Sequence, residues 1–208
     1  MSALSVFTVA LLVSYAGSIP PGTINISVMQ LAILHRRSTA IAFGGAAALV
    51  ELFYAGLTVR FQIFLTENTN VMDYFHVIAG TAMVILGILN LRTTTKTSDV
   101  KTVDVNIRKR DAFWKGVVLG IANPLTVPFW LTVTAYLQKN NWITLDGNNL
   151  YAYSLGIAVG TFILLLCVTQ LGNKFKKIAN SRLIVYIIPG VLFICMGLYS
   201  YYQWVLTF

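Results

Sequence analysis

Gly17-Ser18-Ile19-Pro20-Pro21-Gly22-Thr23-Ile24-Asn25 and Gly120-Ile121-Ala122-Asn123-Pro124-Leu125-Thr126-Val127-Pro128 are two versions of one interruption in an apolar chain. An offset of 103 positions places Gly17 on Gly120, Pro21 on Pro124, Thr23 on Thr126 and Ile24 on Val127. Proline removes a helix hydrogen bond and frees carbonyls on the turn before it. Lipid offers such groups no partner, so a proline-broken span is buried in protein or lines a wet cavity. Matching breaks in two halves of a chain point to the binding site of a secondary transporter.

The surrounding sequence fits a membrane setting. The chain has 208 residues, of which 57% are hydrophobic and 11% charged, too few charges to solubilise so much apolar surface. Six stretches are long enough to span a bilayer, near 3–34, 38–59, 71–91, 112–137, 149–171 and 183–206, given about 20 residues per span. The first is too long for one straight span, as expected if Pro20-Pro21-Gly22 bends or interrupts it. The predicted fold is all-α and integral to the membrane.

The net charge of +8 is distributed unevenly. Arg36 and Arg37 follow span 1. Arg92, Lys96, Lys101, Arg108, Lys109, Arg110 and Lys115 lie around the 3–4 connection, and Lys174, Lys176, Lys177 and Arg182 lie between spans 5 and 6. The opposite side has Arg60 and Lys139. This positive-inside bias places both termini outside. It accounts for the basic excess without nucleic acid as a partner, and leaves the lipid bilayer, including anionic head groups, as the expected contact. No Lys or Arg precedes the first apolar run, so that run lacks a secretory n-region and is expected to remain in the mature protein.

Repetition extends beyond the breaks. Span 3 carries Gly80 and Gly87, span 6 carries Gly190 and Gly197, and each pair is seven residues apart, a spacing that aligns glycines on one helix face for close packing. With three spans per copy, the second copy enters the membrane from the opposite side, so the expectation is two inverted 3+3 repeats with proline-broken helices 1 and 4. Residues 1–208 then form a single domain, with repeat 1 over 1–91, a cytoplasmic loop over 92–111 and repeat 2 over 112–208. Trp142, Tyr151, Tyr153, Tyr199, Tyr201, Tyr202 and Trp204 read as an interfacial aromatic belt. Gly156-x-x-x-Gly160 can pack a second subunit, giving a homodimer, or pack within the bundle.

Glu51 is the acidic residue embedded mid-span. A carboxylate at that depth costs roughly 2.5–3.5 kcal/mol, so it normally faces a cavity or a partner. Such a group suits proton pick-up and release. Glu51 lies 14 residues past Arg37, Pro21 lies 15 before Arg36, and Pro124 lies 13 beyond Asp111. At about 1.5 Å per helical residue, all three fall in one layer of the membrane. The segments that restart after the breaks offer free N–H groups and a positive dipole end. Pro20, Pro21, Gly22, Thr23, Asn25, Asn123, Pro124 and Thr126 are therefore candidates to bind the substrate, with N–H groups at the restarts taking a carboxylate and the freed carbonyls together with Glu51 taking an ammonium; Glu51 is also the candidate to couple a proton. His76, on the outer side, is either a proton relay or an interfacial cap, and His35 belongs to the basic loop.

Other chemistries find less support. The two cysteines, Cys167 and Cys195, form no CxxC pair and lie away from the breaks, and with two distant histidines they make no metal site. No GxxxxGK[ST] loop occurs, so neither a nucleotide nor another cofactor is expected.

These residues resemble the lysine-exporter (LysE) superfamily, which includes homoserine/threonine exporters, over essentially the whole chain. The similarity rests on Pro21-Gly22 in span 1, Gly44-Gly45 followed by Glu51 in span 2, Asn123-Pro124 in span 4 and the glycine-spaced spans 3 and 6. Members often carry Pro-Gly-Pro in span 1, Asp at the place of Glu51, and a basic residue where Leu125 stands. The resemblance implies export of a small-molecule substrate, most commonly an amino acid, driven by a coupling proton or ion, from a multi-pass protein of a bacterial cytoplasmic (inner) membrane. A divalent metal exporter of the same superfamily and a membrane-embedded redox enzyme are the alternatives.

Overall fold

The computed structural model describes residues 1–19, 22–34, 36–67, 69–92, 107–123, 126–172, 174 and 181–206, apart from the side chains of 65–73, 75, 76 and 185. Eight α-helices appear among them: α1 (Ala3–Gly17), α2 (Thr23–Ile33), α3 (Arg37–Glu67), α4 (Thr69–Arg92), α5 (Lys109–Ile121), α6 (Thr126–Lys139), α7 (Asn149–Gln170) and α8 (Ile188–Val205). A five-residue π-helical turn, Leu183–Ile187, leads into α8. Pro189 follows it and has no N–H to give to the preceding turn, the kind of lesion a widened turn absorbs.

Each stretch expected to be apolar helix is helical, with three differences in extent. The first stretch holds two helices, one ending at Gly17 and the next starting at Thr23, and the fourth likewise holds one ending at Ile121 and one starting at Thr126. Helix α3 continues eight residues past 59, because Arg60-Phe61-Gln62-Ile63-Phe64 contains no breaker. Helix α5 already begins at Lys109, inside the expected 92–111 connection, of which 93–106 lies outside the described residues. By length and composition, Arg37–Phe64 and Asn149–Gln170 can each cross a membrane unaided, and α5 with α6 forms a third candidate, bent by 61°.

Seams between helices are made by glycine. A Cβ on Gly80 would meet the Gly197 carbonyl at 3.1 Å, and one on Gly197 would meet the Gly80 carbonyl at 2.8 Å; Gly87 and Gly190 are matched in the same way. The pairing 80–197 and 87–190 makes α4 and α8 antiparallel. Gly156 and Gly160 of α7 lie against the Phe7 and Leu11 carbonyls of α1, and Gly116 of α5 lies against the Phe43 carbonyl of α3. The Gly156–Gly160 face is thus used inside the bundle, which removes it as a signal for a second subunit. Gly87→Leu should destabilise the α4–α8 seam by about 1–3 kcal/mol through overpacking, read as a lower melting temperature in detergent. An unchanged melting temperature would contradict the seam.

Exchanging α1 with α5, α2 with α6, α3 with α7 and α4 with α8 converts the α1–α7 seam into the α5–α3 seam. It also converts α2–α7 into α6–α3, and leaves α3–α7 and α4–α8 unchanged. The α2–α3 seam has no counterpart of like extent between α6 and α7 among the described residues. The α4–α8 pair joins the other helices only sparsely, chiefly through α3.

Two apolar clusters fill the bundle. One includes Ile26, Leu31, Phe43, Ala47, Leu164 and Leu165. The other includes Val6, Ala55, Val59, Trp130, Tyr153 and Ile157. Along α3 the boundary falls between Ala47 and Ala55, and along α7 between Ile157 and Leu164. Glu51 and Thr161 occupy that gap. Tyr153 corrects the expected aromatic belt: it is 0% exposed, stands edge-on to Trp130 at 6.5 Å and shares a 2.7 Å hydrogen bond with Thr134. Its ring is core because its hydroxyl finds a partner on α6, whereas Trp142, Tyr151 and Tyr202 are exposed.

Candidate functional site

Both helix breaks are tied by a side-chain hydrogen bond to a backbone carbonyl. At the first, the Asn25 side-chain amide donates to the Ser18 carbonyl at 2.7 Å, holding the start of α2 against the end of α1. At the second, the Tyr54 hydroxyl of α3 donates to the Ile121 carbonyl at the end of α5, at 2.8 Å. Tyr54 stands three residues after Glu51, so one face of α3 presents both groups. Gly22 caps α2 without a side-chain hydrogen bond, and the positive end of that helix faces the break.

Glu51 accepts a 2.6 Å hydrogen bond from the Thr161 hydroxyl of α7. Ser14 of α1 lies 2.9 Å from the Thr161 oxygen and donates to the Ile157 carbonyl at 2.7 Å. The Ser18 hydroxyl lies 3.3 Å from Thr161. A hydroxyl both donates and accepts, so this cluster suits either form of the acid. Thr161 donates to the carboxylate; toward a protonated Glu51 it can accept and turn its own hydrogen to Ser14 or Ser18.

A cavity of about 580 Å³ opens on this layer. Gly22, Thr23, Asn25, Glu51, Asn123 and Thr126, all sequence candidates, line it together with Ser18 and Thr161. Pro20, Pro21 and Pro124 lie outside the described residues, as do His35 and the side chain of His76. The rest of the wall includes Leu119, Phe129, Trp130, Leu192, Phe193 and Met196. Asn90 of α4 and Tyr186 of the π-helical turn extend the lining toward Arg92, at the end of α4, and Arg182, just before that turn. At the other end of the bundle, Gln62 donates to Gln138 at 2.5 Å and Lys139 donates to Gln203 at 3.2 Å, tying α3, α6 and α8 together.

Sequence reading missed Thr161, Ser14, Ser18 and Tyr54. Thr161 had a signal: the offset of 110 that superposes Gly80 on Gly190 and Gly87 on Gly197 also places Glu51 on Thr161. Among the described residues, no three or more His, Cys, Asp or Glu converge. Cys167 and Cys195 are both free thiols, on α7 and α8.

The model of the LysE type translocator family matches residues 15–203. The chain belongs to this family. Its translocator membership and apolar helices make it a multi-pass membrane protein of a transporter family. The chain is also similar to the Bacillus subtilis (strain 168) protein named "Putative amino acid efflux protein YcgF", with 24% identity over 203 residues covering 96% of this chain and 97% of that one. No solved structure matches the translocator chain.

Proposed function

We propose that this LysE-type translocator is a secondary active exporter of amino acids or similar small solutes, built as six spans in two inverted repeats. It resides in the cytoplasmic membrane with both termini outside, and Glu51 couples transport to a proton. The observation that carries this reading is the Glu51–Thr161–Ser14–Ser18 cluster, set between two apolar cores where two broken helices meet one cavity. The seams that interchange under exchange of the halves support the inverted repeat, and the efflux protein similar to it supports the direction and substrate.

The solute's carboxylate meets the N-terminal turns of α2 and α6, where N–H groups and the helix dipole favour negative charge. Its ammonium meets Glu51 and carbonyls at the helix breaks. Loading occurs from the basic, cytoplasmic side, toward which Asn90 and Tyr186 extend the cavity. The Gln62–Gln138 and Lys139–Gln203 bonds close the far side, and the sparsely joined α4–α8 pair is the element that moves against the other helices.

Purified protein in liposomes should accumulate labelled amino acid against its gradient when a pH gradient is imposed. Failure with every amino acid, in protein shown to be folded, would overturn the reading. Gln138→Ala should loosen the far side, raising labelling of a cysteine placed at Thr126 by an impermeant reagent added from that side about tenfold or more. Unchanged labelling would contradict the gate. Tyr54→Phe removes one hydrogen bond from the second break, worth about 0.5–1.5 kcal/mol, and should slow transport several-fold without unfolding the protein; a rate equal to wild type would sink that role.

A further inference from the structure

We infer that the transported solute is an α-amino acid with a large, uncharged, apolar side chain. This rests on the exporter reading and names its substrate class.

Charge argues first. Among the described residues, Glu51 is the one acidic residue that lines the cavity, and no Lys, Arg or His lines it. A side-chain ammonium would therefore enter with no second carboxylate to meet it. A side-chain carboxylate would enter with no cation. Burial of an unpaired charge in a low-dielectric site is strongly unfavourable.

Lining chemistry argues second. Apart from Asn90 and Tyr186, which lie near Arg92 and Arg182 in the sequence, the polar groups of the lining belong to the two breaks, to Glu51 and to Thr161, and they match the two charged ends common to every α-amino acid. The surface from α5, α6 and α8 is chiefly Leu119, Phe129, Trp130, Leu192, Phe193 and Met196. An aliphatic, thioether or aromatic side chain buries apolar area there. A hydroxyl in the same place forfeits its hydrogen bonds with water. The cavity volume of about 580 Å³ leaves room for an aromatic ring.

The test is exchange transport in proteoliposomes with labelled leucine, methionine, phenylalanine, threonine, homoserine, lysine, arginine and glutamate, each assayed separately. Leucine, methionine and phenylalanine should exchange at least about tenfold faster than the others. Phe193→Ser should lower phenylalanine exchange about tenfold, with the variant eluting as wild type on size exclusion. Leucine should also raise the melting temperature of wild-type protein in detergent where lysine does not. Threonine, lysine or glutamate moving as fast as leucine would overturn the substrate class and leave the exporter reading standing. Exchange of none of the eight would overturn both.

Discussion

Glu51→Gln is expected to reduce pH-gradient-driven accumulation of labelled amino acid in proteoliposomes to background, in protein that still folds and inserts. Glutamine has nearly the shape of glutamate, and its side-chain oxygen can accept the Thr161 hydrogen bond that Glu51 accepts at 2.6 Å. The cavity is thus preserved while the group that gains and loses a proton is gone. Loss of the carboxylate also removes a charge-assisted hydrogen bond to the substrate ammonium, worth about 1.5–3 kcal/mol, or about ten- to hundredfold in affinity. Downhill exchange should persist at raised substrate concentration, which separates lost coupling from lost folding. Full uphill transport by the variant would remove Glu51 from the mechanism.

Thr161→Val has the next largest expected effect. Valine fills the same volume without the hydroxyl, so the Glu51 carboxylate loses its donor and Ser14 and Ser18 lose a shared neighbour. Leaving buried polar groups short of a partner costs about 1–3 kcal/mol. Expressed in the barrier to transport, that is about five- to 150-fold in rate. Thr161→Ser keeps the hydroxyl and should recover most of the activity, an outcome that packing alone would not produce. Equal loss in both variants would assign Thr161 to packing instead.

Much of the candidate site's lining could be read from the chain because its features are costly in lipid. Paired proline breaks and an embedded acid are tolerated where protein or water receives them, so Gly22, Thr23, Asn25, Glu51, Asn123 and Thr126 could be picked out by chemistry alone, and all line the one cavity. Thr161 and Ser14 could not be picked out in the same way. A hydroxyl in an apolar helix commonly bonds to its own backbone four residues back, as Thr8, Thr132 and Thr169 do here. The crossing of α1, α3 and α7 distinguishes Thr161 and Ser14 from them, and in the sequence the 110-residue offset from Glu51 marks Thr161 alone. The apolar wall was equally hidden, since Phe129 and Phe193 sit in helices that are apolar on most faces, and sequence periodicity then fails to separate cavity from lipid. Tyr153 shows the same limit in reverse. It sits among aromatics at a helix end, yet a partner hydroxyl on Thr134 draws it into the core.

The most direct measurement is of protons themselves. A pH-sensitive dye sealed inside proteoliposomes reports whether adding an amino acid on one side drives protons the opposite way. The account predicts substrate-dependent proton movement in the wild-type protein and none with Glu51→Gln, even at substrate concentrations where the variant still exchanges solute. Proton movement of wild-type size through Glu51→Gln, or uphill solute transport by the wild type without any, would contradict it.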